Sequence, residues 1–278
     1  MIFKTLQPSY KTFATILAIV LSIPFSVAAQ TINSAYAKAL HQKYPSVKTD
    51  FCEPCKLWVN PYYKSIADTV RHMPILTFFS YTKQMRLAQE SLDLKRNGTF
   101  AVWYPSVGQV NESSLYTETN KIIGLPRQNG EIQKGHCQPW ILLAYSPDGA
   151  ILSNTYTFNS AMEYKGQNIG TQLESEEMCR ELTGWNGHPE VTNKIGIWCG
   201  TYGSQRTYTD GKLTATVPTH YYKVLQYDDL IQKKNVIRCF WMPNQPTESR
   251  NKLASREVSY FQLKQNLGFD PMAIFKNY

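Results

Sequence analysis

After the first thirty residues the chain has no further long apolar run, which excludes a bundle of membrane-spanning helices. It also has no dense run of lysine and arginine, no internal repeat, no low-complexity stretch and no obvious linker. Polybasic tails and repeat arrays are therefore absent, and one large domain is the expectation. Regular alternation of strand and helix patterns is missing too, which argues against a doubly wound parallel sheet. Only one Cys-x-x-Cys is present, so no second pair completes a four-cysteine zinc site.

What the chain does have begins with an export-like segment. Lys4 and Lys11 form a positive region, Phe13 to Val27 is an apolar core interrupted by Pro24, and Val27-Ala28-Ala29 offers small residues before a cut at Gln30. Residues 1–29 read as a Sec-type signal peptide, so the mature protein is expected to be secreted or periplasmic. A membrane anchor fits less well, because the run is short of the roughly 20 residues a span needs and contains a proline. Cleavage lowers the formal charge of +8 by two lysines. The remaining positive balance is compatible with a polyanionic partner such as nucleic acid, although basic secreted proteins are common. Eighteen tyrosines and six tryptophans argue against disorder.

All six cysteines follow the cut, at positions 52, 55, 137, 179, 199 and 239. Export permits up to three disulfides. Cys52-Glu53-Pro54-Cys55 has the spacing of a redox pair, but that chemistry needs the first cysteine at a helix start; a small structural loop fits better.

The pattern predicts helices over Ala35 to Tyr44, Ser65 to His72, Gln167 to Leu182 (Ile169, Leu173 and Leu182 near one face, Gly184 at the end) and Ser255 to Asn266. Strands are expected over Ile75 to Tyr81, Thr99 to Tyr104, Lys194 to Cys199, Lys212 to Val217, His220 to Gln226 and Val236 to Met242. Ile151 to Phe158 reads as extended after the turn signal Pro147-Asp148-Gly149. Lys83 to Arg96 fits either type. The mixture points to α+β.

The chemistry concentrates in Gln133-Lys134-Gly135-His136, Asn159, Asn168 and Glu176. A neutral imidazole at His136 suits a general base near neutral pH. Asn168, in the first turn of a helix, can offer a carboxamide oxygen to a hard cation. Glu176 lies eight residues on, about 80 degrees round the helix, where it can hold metal-bound waters. Asn159 can steady the histidine or a phosphate. Each also has a plainer reading: a core histidine, a helix cap, a turn former, a solvated carboxylate. Their joint spacing favours metal-assisted attack on a phosphodiester.

These residues resemble the DNA/RNA non-specific endonuclease family, secreted sugar-non-specific nucleases with a ββα-metal (His-Me finger) site. Gln133-Lys134-Gly135-His136 is similar to that family's Asp-Arg-Gly-His. The nine-residue step from Asn159 to Asn168, the eight-residue step to Glu176, and Glu176-Glu177-Met178-Cys179-Arg180 follow its pattern. Val217-Pro218-Thr219-His220-Tyr221-Tyr222-Lys223 and Met242-Pro243-Asn244 resemble two further motifs. The likeness runs from about Thr99 to Phe269, so residues 30–278 read as one nuclease-like domain whose part 30–98 shows little match.

The resemblance implies a largely antiparallel sheet with flanking helices and a ββα-metal motif. It also implies an endonuclease cleaving DNA and RNA by in-line attack of water, leaving 5′-phosphates. His136 would be the base, Asn168 the ligand of Mg2+, with Mn2+ as an alternative, and Asn159, Glu176 and Lys134 supporting catalytic residues. An inhibitor protein is left open as a partner. The departures are Gln133 and Lys134 for aspartate and arginine, Gln172 for an aromatic, and Ser160-Ala161-Met162 for a segment with Pro-Gln. Lys134 keeps the charge without the bidentate fork of arginine. For a transition-state arginine only Arg127 suggests itself, by proximity. Two other classes stay open: a nucleic-acid-binding protein that does not cleave, and a disulfide oxidoreductase using Cys52 and Cys55.

Overall fold

Long β-branched and aromatic runs in this chain form ladders rather than helices, and the sheet they build carries everything else. The computed structural model describes residues 32–123 and 131–277. The signal-like segment and Arg127 lie outside them. In chain order the strands are β1 (Ser46–Lys48), β2 (Cys55–Val59), β3 (Lys64–Asp68), β4 (Met73–Thr82), β5 (Ile132–His136), β6 (Ser160–Tyr164), β7 (Lys194–Tyr202), β8 (Arg206–Thr209), β9 (Thr214–Val217), β10 (His220–Asp229), β11 (Lys234–Pro243) and β12 (Glu257–Val258). Eight of them form one antiparallel sheet in the order β1-β2-β3-β4-β7-β10-β11-β12. The pairs β5-β6 and β8-β9 stand apart as two-stranded units.

Both faces of the large sheet are covered, so its central strands are buried almost continuously instead of alternating. On one face Leu57, Ile66, Leu76, Trp198, Tyr222 and Val224 pack under the C-terminal helix Tyr260–Leu267 and Phe275. The other face supports the β5-β6 unit and the helix Leu173–Leu182. There the ladder sets Thr77, Cys199 and Lys223 in one row. Gln138 Nε2 bonds Thr77 Oγ1 at 2.9 Å, Ser65 Oγ bonds the Phe158 carbonyl at 2.6 Å, and Lys223 Nζ bonds Ser175 Oγ at 2.6 Å. A second core of Trp103, Leu115, Tyr116, Ile132, Tyr156, Met162 and Val217 fills the space between β5-β6, β8-β9 and the helix Ser113–Ile123.

The α+β expectation holds, as does the first helix, at Ser34–Gln42; the last begins later than expected, at Tyr260–Leu267, because Glu257–Val258 pairs with β11. Several local expectations do not. Ser65 to His72 is no helix: Lys64–Asp68 pairs on both sides, and the turn that follows is made by Asp68 Oδ1 accepting from the backbone of Val70 and Arg71. Ladder pairing outweighs the weak helical preference of Ser-Ile-Ala-Asp. Thr99 to Tyr104 contributes only the bridge from Tyr104 to Thr155. The Pro147-Asp148-Gly149 signal starts a helix, Pro147–Ser153, with Ser146 as its cap and proline in the first turn, where its missing N–H costs nothing. Ile151 therefore does not begin an extended segment. Lys83–Leu92 is helical, capped by Thr82. Ile169, expected on the inner helical face, is exposed, because the chain widens and bends at Gly170 before Leu173–Leu182 begins.

Cys52 and Cys55 form a disulfide across the turn that leads into β2, whose first residue is Cys55, with no helix beginning there, and Cys137, Cys179, Cys199 and Cys239 are free and buried. No helix among the described residues is long and apolar enough to cross a membrane.

Trp58 tests the sheet's inner face. It is fully buried, donates from Nε1 to the Tyr44 carbonyl at 2.6 Å and lies against Tyr63 and Phe158. Trp58→Ala should cost about 3–5 kcal/mol in urea denaturation; a loss under about 1 kcal/mol would contradict this packing.

Candidate active site

His136 is the last residue of β5, and the antiparallel register sets it opposite Ser160, with Lys134 opposite Met162 and Gln133 opposite Glu163. Glycine precedes the histidine for space. A Cβ on Gly135 would lie 2.0 Å from Glu163 Oε2 and 2.7 Å from the Tyr221 hydroxyl. The histidine is buried, with its ring centroid 4.6 Å from that of Trp103. Its Nε2 lies 3.0 Å from Asn154 Oδ1, while Asn154 Nδ2 donates to the Phe100 carbonyl at 2.7 Å. With the amide so fixed, Oδ1 accepts, Nε2 carries the hydrogen and Nδ1 keeps the lone pair. Burial, and then the Arg96 cation, hold the imidazole well below its usual range, against the opposing Asn154 hydrogen bond. His136 is thus neutral at ordinary pH.

Asn168 stands where the chain turns into the helix, across from β5. Its Nδ2 donates to Gln133 Oε1 at 2.7 Å, which leaves the carboxamide oxygen to accept from or coordinate another group. Asn168, Gln133 and Lys134 share a cavity of about 360 Å³ with Arg96, Trp103, Tyr116, Glu131 and Ile132. A model of the DNA/RNA non-specific endonuclease family matches residues 46–273.

The chain belongs to the DNA/RNA non-specific endonuclease family.

It is therefore a nuclease, a hydrolase acting on DNA and RNA, and the match begins well ahead of Thr99, where the motifs become legible in the sequence. In fold it is similar to EndoG in the crystal structure of the EndoG/EndoGI complex, at 16% identity and a TM-score of 0.54, covering 77% of this chain and 86% of that one. No curated protein matches.

The rest of the candidate site shows how its unusual residues are accommodated. Lys134 Nζ sits over the rings of Tyr156, Tyr116 and Trp103, at 5.3, 5.7 and 5.8 Å from their centroids. Ring faces attract a cation, so the cage holds the ammonium in place of the directional fork an arginine would offer. Burial pulls the Lys134 ammonium below its usual range and Arg96 adds to this, while the buried Glu112 carboxylate opposes it. Glu112 is itself held by Thr157 Oγ1 and by His72 Nδ1 at 3.2 Å.

Glu176 is half-buried. Burial pushes its carboxyl up to about 7, with Lys223 and Arg96 pulling it back and Glu177 adding to the rise. Arg96 is the functional candidate that sequence reasoning missed. It is exposed overall but lines the cavity, and its charge acts on His136, Lys134 and Glu176 together. A single arginine at the end of a stretch of undecided type gave no signal. Asn154 was missed likewise, because Ile151 to Phe158 was read as a strand.

Asn159 is placed differently from the other candidates. Its Oδ1 accepts from the Gln138 backbone N–H at 2.7 Å, and its Nδ2 donates to the Gln138 and Ser153 carbonyls, both at 2.8 Å. With those bonds made it touches neither the His136 ring nor the cavity. It clamps the chain leaving His136 to the chain that carries Asn154. Gln172, standing where the family has an aromatic, donates from Nε2 to the His136 carbonyl at 2.7 Å.

Among the described residues no three His, Cys, Asp or Glu side chains converge as a metal cage. The free Asn168 oxygen beside a cavity lined by polar groups instead fits a hard cation that keeps most of its waters.

Gly135→Ala should destabilise the endonuclease by about 1–3 kcal/mol, because the new methyl must displace Glu163 and Tyr221. Chemical denaturation checks this; unchanged stability would mean that the strands do not approach so closely.

Proposed function

We propose that this endonuclease is exported and metal-dependent, and that it cleaves DNA and RNA with little sequence preference to leave 5′-phosphate ends. The observation that carries the reading is a neutral His136 of fixed tautomer in the same small unit as a free Asn168 oxygen and the cations of Arg96 and Lys134. His136 Nδ1 would take the proton from the attacking water. Arg96 and Lys134 would draw a phosphate into the cavity without reading its base, which fits little sequence preference. Trp103 keeps the imidazole in place, and Gln172 and Asn159 hold the backbone at His136 and two residues beyond it. Asn168 would hold Mg2+, or Mn2+ in its place, and Glu176 its waters. When bound, the cation would stabilise negative charge developing on the phosphate oxygens and the leaving 3′ oxygen. The export reading rests on residues 1–29 alone, and a protein inhibitor covering this basic cavity would parallel the inhibited EndoG complex.

Degradation of plasmid and RNA, with and without EDTA, tests the reading. Activity should vanish with EDTA and return with magnesium. His136→Ala should lose two to four powers of ten, as general-base losses typically run, and Asn168→Ala should need more magnesium. Normal degradation by His136→Ala would sink the assignment at this site.

The pH profile tests Glu176 separately. A group that must be ionised fails as pH falls through its pKa, so the acid limb of kcat at low magnesium should lie near 7 and belong to Glu176, not to His136, which remains a free base well below 6.5. Raising magnesium should move the limb to lower pH, because a nearby cation favours the carboxylate. Glu176→Gln should be slower and lack that limb; an unaltered limb in this variant would assign it elsewhere.

A further inference from the structure

Lys223 is fully buried on β10, on the sheet face beneath the β5-β6 unit. A buried ammonium is costly unless carboxylates and hydrogen bonds surround it. Its Nζ donates to Ser175 Oγ at 2.6 Å, and Ser175 Oγ in turn donates to the Gln172 carbonyl at 2.6 Å. Gln172 Nε2 then donates to the His136 carbonyl at 2.7 Å. The hydrogen bonds therefore connect a sheet lysine, through Ser175 in the first turn of the helix Leu173–Leu182 and the covalent frame of Gln172, to the backbone of His136. Ser175 directly precedes Glu176. The fields agree with this geometry, since the Lys223 charge acts on both Glu163 and Glu176 and draws each carboxyl down against burial. Glu163, whose two oxygens have no hydrogen-bond partner among the described residues, lies against Gly135, one residue before the histidine.

We propose that Lys223 is a positioning residue for the cleavage reaction, fixing the distance between the helix that carries Glu176 and the strand end that carries His136 through Ser175 and Gln172. It touches neither cavity nor substrate, so its loss should act on the rate and leave binding nearly unchanged. The proposal rests on the reading of His136 as the base.

The test is a kinetic cycle on the full protein with plasmid DNA, using Lys223→Met, Gln172→Met and their combination, with Ser175→Ala as the gentlest break in the chain. Each of the two Met variants should lower kcat by ~10- to 100-fold per folded molecule, the scale of a misplacement of the reacting groups by about 1 Å. KM should change by less than ~3-fold. The double variant should be no slower than the slower single, because both break one chain. If Lys223→Met does not fold, Ser175→Ala carries the test: it should lower kcat by a few fold with KM and the magnesium midpoint unchanged. Unchanged kcat in Ser175→Ala or in folded Lys223→Met, or fully additive losses in the double, would overturn the positioning role while the wild-type protein still cleaves. A wild-type protein that does not cleave would instead overturn the reading of the site.

Discussion

Gly135 meets Glu163 and the Tyr221 hydroxyl with no side chain between them, and that contact lets β5 lie against both β6 and the large sheet. The register of β5 against β6 follows from it, and a slip of one residue would turn His136 to the opposite face. Gln133 then reaches Asn168 across thirty-five positions of sequence, and Gln172 reaches the His136 carbonyl across thirty-six. Neither link survives if β5 stands off by the width of a methyl group. The site is thus held by backbone closeness first and by side-chain chemistry second.

Charge is arranged in two tiers around this unit. On the cavity side Arg96 and Lys134 face solvent-filled space, where positive charge attracts phosphate. On the sheet side Lys223 lies among carboxyls that burial holds above their usual range. His136 sits between the tiers and stays neutral, since burial and Arg96 both resist its protonation. The caged Lys134 shows how a departure from the usual motif is absorbed: three aromatic rings supply what the lost guanidinium fork supplied in geometry.

The legible part of the site was its spacing. His136 is marked by Gln133-Lys134-Gly135-His136, and Asn168 and Glu176 by the nine-then-eight step from Asn159; in the structure Asn168 reaches Gln133, on the strand that ends at His136. Asn159 was found by the same step, but its work is on the Gln138 and Ser153 backbone, which no spacing announces. Arg96 and Asn154 act across long separations and lie in no motif, while Lys223 closes the Val217-to-Lys223 motif with nothing there to announce its bond to Ser175, so only the folded chain reveals these roles. The fold was legible where long apolar runs met clear stops, as in β10 and β11. It was misread where short polar-apolar mixtures were settled by partners far away, as at Lys64–Asp68, and where Ser146-Pro147-Asp148 capped a helix instead of making a turn.

The Cys52–Cys55 bridge spans a separation of three residues, while the other four cysteines are buried and unpaired. A loop that small restricts the unfolded chain by only about 2 kcal/mol on the loop-entropy relation, and ties together no distant parts. The native topology is consequently encoded without disulfides between distant elements. Reducing that bridge would therefore loosen one turn and leave the ladders of the large sheet in place, since no distant element is tied to another through it.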